Sequence, residues 1–166
     1  MTTNDVYALP KLYKFEAEYI DFHNPSEHQI NASQFDVEMQ IYHKDIFRKS
    51  KSKEAMVVSI MFNVTDDEPD NDFFTFLDGK SMMDVSKVLP IDFMMHNTVF
   101  GYLGTRTSEG CATGVGWYIS PVMRTISRAD YENIKKGVVT TGNNREYFEI
   151  RTKRLFSHPP LFNSAS

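Results

Sequence analysis

Thiol chemistry is nearly missing from this chain. One cysteine, Cys111, occurs in 166 residues, so no internal disulfide can form and the usual staple of a small secreted domain is excluded. Basic charge is in deficit as well. Eighteen Lys and Arg face 22 Asp and Glu, for a net charge of −4, and a field of that sign repels a phosphate backbone. Nucleic acid is therefore not an expected partner. No apolar run approaches the ~18 residues of a spanning helix, and Met1-Thr2-Thr3-Asn4-Asp5-Val6-Tyr7 has neither the basic start nor the apolar stretch of a signal peptide. Direct membrane insertion is not expected, and the predicted location is intracellular, cytoplasmic or organellar, not secreted. Two glycosylation sequons, Asn31-Ala32-Ser33 and Asn63-Val64-Thr65, carry no weight without secretion.

What is present is a packed, aromatic-rich chain: 41% of residues are hydrophobic and 13% aromatic, which excludes a disordered or fibrous protein. The length predicts one domain. Its dominant periodicity is two. Phe15–Phe22 and Phe35–Ile41 alternate apolar with polar residues and predict half-buried strands. Ala55–Val64 is nearly continuous in apolar and β-branched residues and predicts a strand buried on both faces, at the centre of a sheet. Val115–Val122 and Tyr147–Arg151 predict further strands. Arg48–Lys53 and Asp66–Asp72 are charged loops of opposite sign, read as solvated turns. A short helix is expected after the acidic loop, through Phe73, Phe74 and Leu77. A second is marked by Ser127 with Asp130 as a capping pair, Ile134 as its apolar contact, Lys135 and Lys136 in the last turn, and Gly137 as terminator.

Among the five histidines, His23, His28, His43, His96 and His158, none has zinc-finger spacing, and a single cysteine cannot build a thiolate site. The informative grouping follows from strand geometry. Asp21 and His23 share one face of their strand, Glu38 and Gln40 share one face of the next, and pairing of the two strands brings all four side chains to one patch.

The order of motifs resembles the α-class carbonic anhydrases. Ile20-Asp21-Phe22-His23, Ser26-Glu27-His28 and Glu38-Met39-Gln40-Ile41-Tyr42-His43 stand where that family has Phe-His-Phe-His, Ser-Glu-His and Glu-Leu-His-x-x-His. Tyr102 through Cys111 is similar to its Tyr-Pro-Gly-Ser-Leu-Thr-Thr-Pro-Pro-Cys, and Gly114-Val115-Gly116-Trp117 to its Gly-Val-x-Trp strand. Asn143-Asn144-Arg145 resembles its Asn-x-Arg-Pro. The resemblance implies a mainly β (α+β) fold, a large twisted and mostly antiparallel central sheet with a few short peripheral helices. It places the domain at 15–158, between an extension at 1–14 and a tail at 159–166. It further implies that the N-terminal part of the fold is lacking, because Met1 to Lys14 stands where the family has a longer segment. Cys111 occupies a position often paired with a cysteine of that segment, and is expected as a free thiol.

In the family three histidines hold zinc, whose bound water becomes the hydroxide that attacks carbon dioxide. Here the relict zinc-ligand positions are Asp21, His23 and Gln40, and a carboxylate and an amide do not replace two imidazoles. No metal, no other cofactor and no catalytic residue are therefore expected. The relict supporting groups are Glu27 and Thr107, matching a pair in which the glutamate accepts the threonine hydroxyl, and Glu38, matching the carboxylate behind the third ligand. Asp21 beside His23 also reads as an internal pair, and Ser108 with Thr107 as the edge of a relict pocket for a small anion or neutral ligand. The resulting expectation is a pseudoenzyme acting as a structural subunit within a large hetero-complex of other protein subunits. The alternative is a divergent zinc-dependent carbonic anhydrase, or another metal-binding protein, using the remnant site.

Overall fold

The computed structural model describes residues 15–45, 55–67, 69, 74, 99–107, 113–137 and 156–158. Nine strands and one helix are described: β1 (Phe15–His23), β2 (Gln29–Ile30), β3 (Ser33–Gln34), β4 (Val37–Asp45), β5 (Ala55–Thr65), β6 (Val99–Thr105), β7 (Thr113–Ile119), β8 (Arg124–Ser127), α1 (Arg128–Gly137) and β9 (Phe156–His158). Seven strands form one sheet in the order β1-β4-β5-β7-β6-β9, with β8 also paired to β5. Neighbours are antiparallel except β5–β7 and β5–β8, which are parallel. The sheet is mostly antiparallel, as expected from the sequence, and becomes mixed only where β5 takes two parallel partners end to end along one edge.

The apolar run of β5 explains this layout. Val57, Ser59 and Met61 point to one face and Val58, Ile60 and Phe62 to the other, all buried, as a central strand requires. One face gathers Phe22, Val37, Met39, Ile41, Val58, Ile60 and Phe62, and α1 covers it through Ile134 and Tyr131. Ser127 caps that helix: Asp130 N–H donates to Ser127 Oγ at 3.0 Å, meeting one of the orphan donors of the first turn. The opposite face carries Tyr42, Val57, Val115 and Trp117, with Tyr19 and Tyr102 against them. This second face holds the polar patch.

Strand boundaries differ in detail from the sequence reading. The second alternating segment pairs from Val37 through Asp45, beyond Ile41, because β4 follows β1 along its whole length. The strand expected at Val115–Val122 spans Thr113–Ile119 and ends before Ser120, whose N–H donates to Ser59 O at 3.0 Å. The expected helix near Phe73 and the expected strand at Tyr147–Arg151 lie outside the described residues, apart from Phe74, which is buried against Phe22 and Phe62.

Two local features hold the site side of the sheet. The hairpin β2–β3 turns at Asn31 (φ 52°) and Ala32 (φ 61°), the paired positive values of a type I′ turn. Gly104 lies under the Tyr102–Trp117 stack, whose centroids are 6.0 Å apart at 7°. A Cβ there would sit 2.6 Å from Tyr102 Cε2 and 3.1 Å from Trp117 Cδ1, so the close approach requires glycine.

Candidate functional site

Antiparallel pairing of β1 with β4 sets Asp21 opposite Gln40 and His23 opposite Glu38, so the four polar side chains expected at one patch do converge. β4 with β5 then sets Gln40 opposite Ser59, adding a hydroxyl that the motif reading did not single out. Glu38, Gln40 and Ser59 are fully buried. Burial at this depth demands partners for each polar atom.

Glu38 finds four donors. Its Oε1 accepts from His28 Nδ1 at 2.7 Å, Gln40 Nε2 at 2.9 Å and Ser59 Oγ at 2.7 Å, and its Oε2 accepts from the His28 backbone N–H at 2.8 Å. Burial would raise the Glu38 carboxyl, but the His28 ring, the Ser59 hydroxyl and the His28 N–H outweigh it and hold the group well below the usual carboxylate range. On the far side of the ring, His28 Nε2 and the Tyr102 hydroxyl are hydrogen-bonded at 2.7 Å. Burial and the nearby Glu38 and Glu27 charges push the Tyr102 phenol up strongly, so its proton stays in place.

The Thr107 hydroxyl donates to Gln40 Oε1 at 2.7 Å. A hydroxyl has one proton, so the Tyr42 hydroxyl, 2.6 Å from Thr107 Oγ1, is the donor of that second bond. Tyr42 Oη also lies 3.1 Å from Gln40 Oε1. Tyr42 itself is buried, stacked on Tyr19 at 4.6 Å and set edgewise to Trp117 at 6.3 Å. The expected donation from Thr107 to Glu27 is thus replaced, because the amide of Gln40 reaches the threonine first. Glu27 Oε1 lies instead 3.1 Å from His23 Nδ1, an ion-pair contact between neighbours four residues apart. Burial pulls the His23 pKa down, but Glu27, Glu38 and Asp21 outweigh it and the net shift is upward. His23 Nε2 is 3.5 Å from Thr107 Oγ1. Ser108 lies outside the described residues.

These side chains do not fit a zinc ion held by three ligands. Among the described residues no group of three His, Cys, Asp or Glu side chains is placed to hold a metal. Gln40 could offer only its Oε1, and that atom already receives Thr107 and is within reach of Tyr42. Sequence reasoning missed Tyr42 as a site residue. The signal was available, since Glu38, Gln40 and Tyr42 are successive alternate residues of one strand face.

Residues 3–156 match the family model of the eukaryotic-type carbonic anhydrases. Dioscorin dioA3 of Dioscorea japonica is 26% identical over 132 residues, covering 75% of this chain and 47% of the relative. Alpha carbonic anhydrase 6 of Arabidopsis thaliana is 31% identical over 104 residues, covering 59% of this chain and 37% of that protein. Among solved structures, a halotolerant carbonic anhydrase from Dunaliella salina aligns with a TM-score of 0.71 at 21% identity over 88% of this chain and 61% of its own. A dioscorin complexed with ascorbate aligns at 0.67 and 23% identity, over 90% and 64%. The chain spans about half the length of the first of these curated relatives. No helix among the described residues is long and apolar enough to cross a membrane. With the family model spanning most of its length, this chain belongs to the eukaryotic-type carbonic anhydrase family.

Proposed function

We propose that this chain is a non-catalytic, carbonic-anhydrase-like protein that acts as a structural and interaction subunit of an intracellular protein assembly. The observation that supports this reading is the closed hydrogen-bond set Tyr42–Thr107–Gln40–Glu38. In the family the threonine orients a zinc-bound hydroxide. Here the Tyr42 hydroxyl takes the threonine's acceptor position and the Gln40 amide takes its proton, so the groups that would steer a nucleophile steer one another.

A second reading, weak binding of a metal by Asp21 and His23, draws support from the long contact of His23 Nε2 to Thr107 and from the shared strand face of the two residues. Elemental analysis after extensive dialysis separates the two readings. The proposal expects no stoichiometric zinc and background hydration of carbon dioxide. Stoichiometric zinc that disappears in His23→Ala, or a hydration rate abolished by a sulfonamide, overturns it.

A further inference from the structure

Resting on the reading of this chain as an interaction module, we propose that the outer edge of β1 docks an extended basic segment of a different polypeptide, which joins the sheet as a further strand. β1 stands at one end of the strand order and is nine residues long. Among the described residues it pairs with β4 alone. Glu16, Ala17 and Glu18 are exposed, so this part of the edge presents main-chain donors and acceptors to solvent.

The charge of the edge selects its occupant. The ionisable side chains of β1 are Glu16, Glu18, Tyr19, Asp21 and His23; burial keeps the Tyr19 phenol protonated by raising its pKa, and His23 is buried. What the edge shows is acidic. Lys44 of β4 reaches Glu16 at 3.9 Å, with both side chains more than half exposed, a geometry that neutralises little. Glu18 falls at the register shift between Ala17 and Tyr19, where it has no residue opposite it on β4. A second copy of this chain pairing edge to edge about Glu16–Glu18 would set carboxylates against carboxylates, which is destabilising. An extended segment with Lys or Arg at alternate positions meets the same edge with main-chain hydrogen bonds and opposite charge, the combination used in strand addition.

Hydrogen exchange of the full chain tests this with two synthetic ten-residue peptides, one alternating Lys with Val and one alternating Glu with Val. The Lys peptide is expected to slow exchange of the β1 amides at least tenfold at low salt, and the Glu peptide to leave them unchanged. Glu16→Lys with Glu18→Lys should remove the protection, and the milder Glu16→Gln with Glu18→Gln should reduce it; both sites are exposed, and circular dichroism checks the fold of each variant. No slowing, equal slowing by both peptides, or slowing confined to other strands overturns the proposal. So does protection that appears without peptide and grows with chain concentration, which would make the occupant a second copy. Stoichiometric zinc with hydration activity would overturn the non-catalytic reading and leave these exchange results standing, so the two failures are distinguishable.

Discussion

Replacing Glu38 by Gln keeps the shape of a fully buried side chain but removes its charge and turns one acceptor oxygen into a donor. Four donors converge on the native carboxylate, and an amide can accept at one oxygen only. At least one of His28 Nδ1, Gln40 Nε2, Ser59 Oγ and the His28 N–H then faces an NH₂ group. Hydrogen bonds to charged groups contribute about 1.5–3 kcal/mol, and breaking one side of a buried charge-assisted pair costs about 3–5 kcal/mol. A loss of about 3 kcal/mol is expected, which for a chain of this size corresponds to roughly 6–12 °C in Tm. The pH dependence has a definite sign. Because the folded-state pKa of Glu38 is depressed, its contribution is present above the unfolded carboxylate value of about 4.3 and is lost as pH falls through the folded value. His23 runs the other way: its folded pKa is raised, so its contribution is present below the unfolded value of about 6.5 and is lost as pH rises through the folded one. Urea denaturation of wild type and Glu38→Gln at pH 7 and at pH 3.5 measures the Glu38 loss and its pH dependence, because His23 is common to both proteins. The difference between the two proteins should be large at pH 7 and shrink in acid. A loss below about 1 kcal/mol at pH 7, or a difference independent of pH, would refute the account of Glu38 as an ionised hub.

Gly104→Ala should destabilise the chain by about 1–3 kcal/mol through overpacking, since the added methyl meets the Tyr102 ring at 2.6 Å; thermal melts followed by Trp117 fluorescence check this, and a neutral result would mean that the aromatic stack yields easily. Ala32→Gly should stabilise it by about 1 kcal/mol, because a side chain at φ 61° bears the left-handed penalty that glycine escapes. An unchanged or lowered urea midpoint would argue against a strained type I′ turn.

How much of this molecule was legible in its order of residues depended on how local the determining physics is. Period-two alternation located β1 and β4, the continuous apolar run located β5, and Ser127 with Asp130 located the start of α1. In each case the signal lies within a dozen residues of its consequence. Because β-strand faces alternate strictly, the four polar residues Asp21, His23, Glu38 and Gln40 could also be assigned to one patch before any coordinates. β6 gave no such signal, since Gly101 and Gly104 interrupt its pattern, Gly104 making room for Tyr102 and Trp117. β8, only four residues long, becomes a strand because β5 extends past the end of β7 and offers it a parallel partner. The hydrogen bonding of the patch was likewise beyond the motif. Thr107 and Gln40 are 67 residues apart in sequence, as far as Thr107 lies from any local rule, and which acceptor takes its single proton was decided by the side chain that the folded sheet brought within 2.7 Å. Composition and alternation alone determined a β-rich chain with one polar patch on its sheet; only tertiary packing decided that the patch closes on itself, because hydrogen bonds between distant strands depend on ångström-scale placement that sequence spacing does not encode.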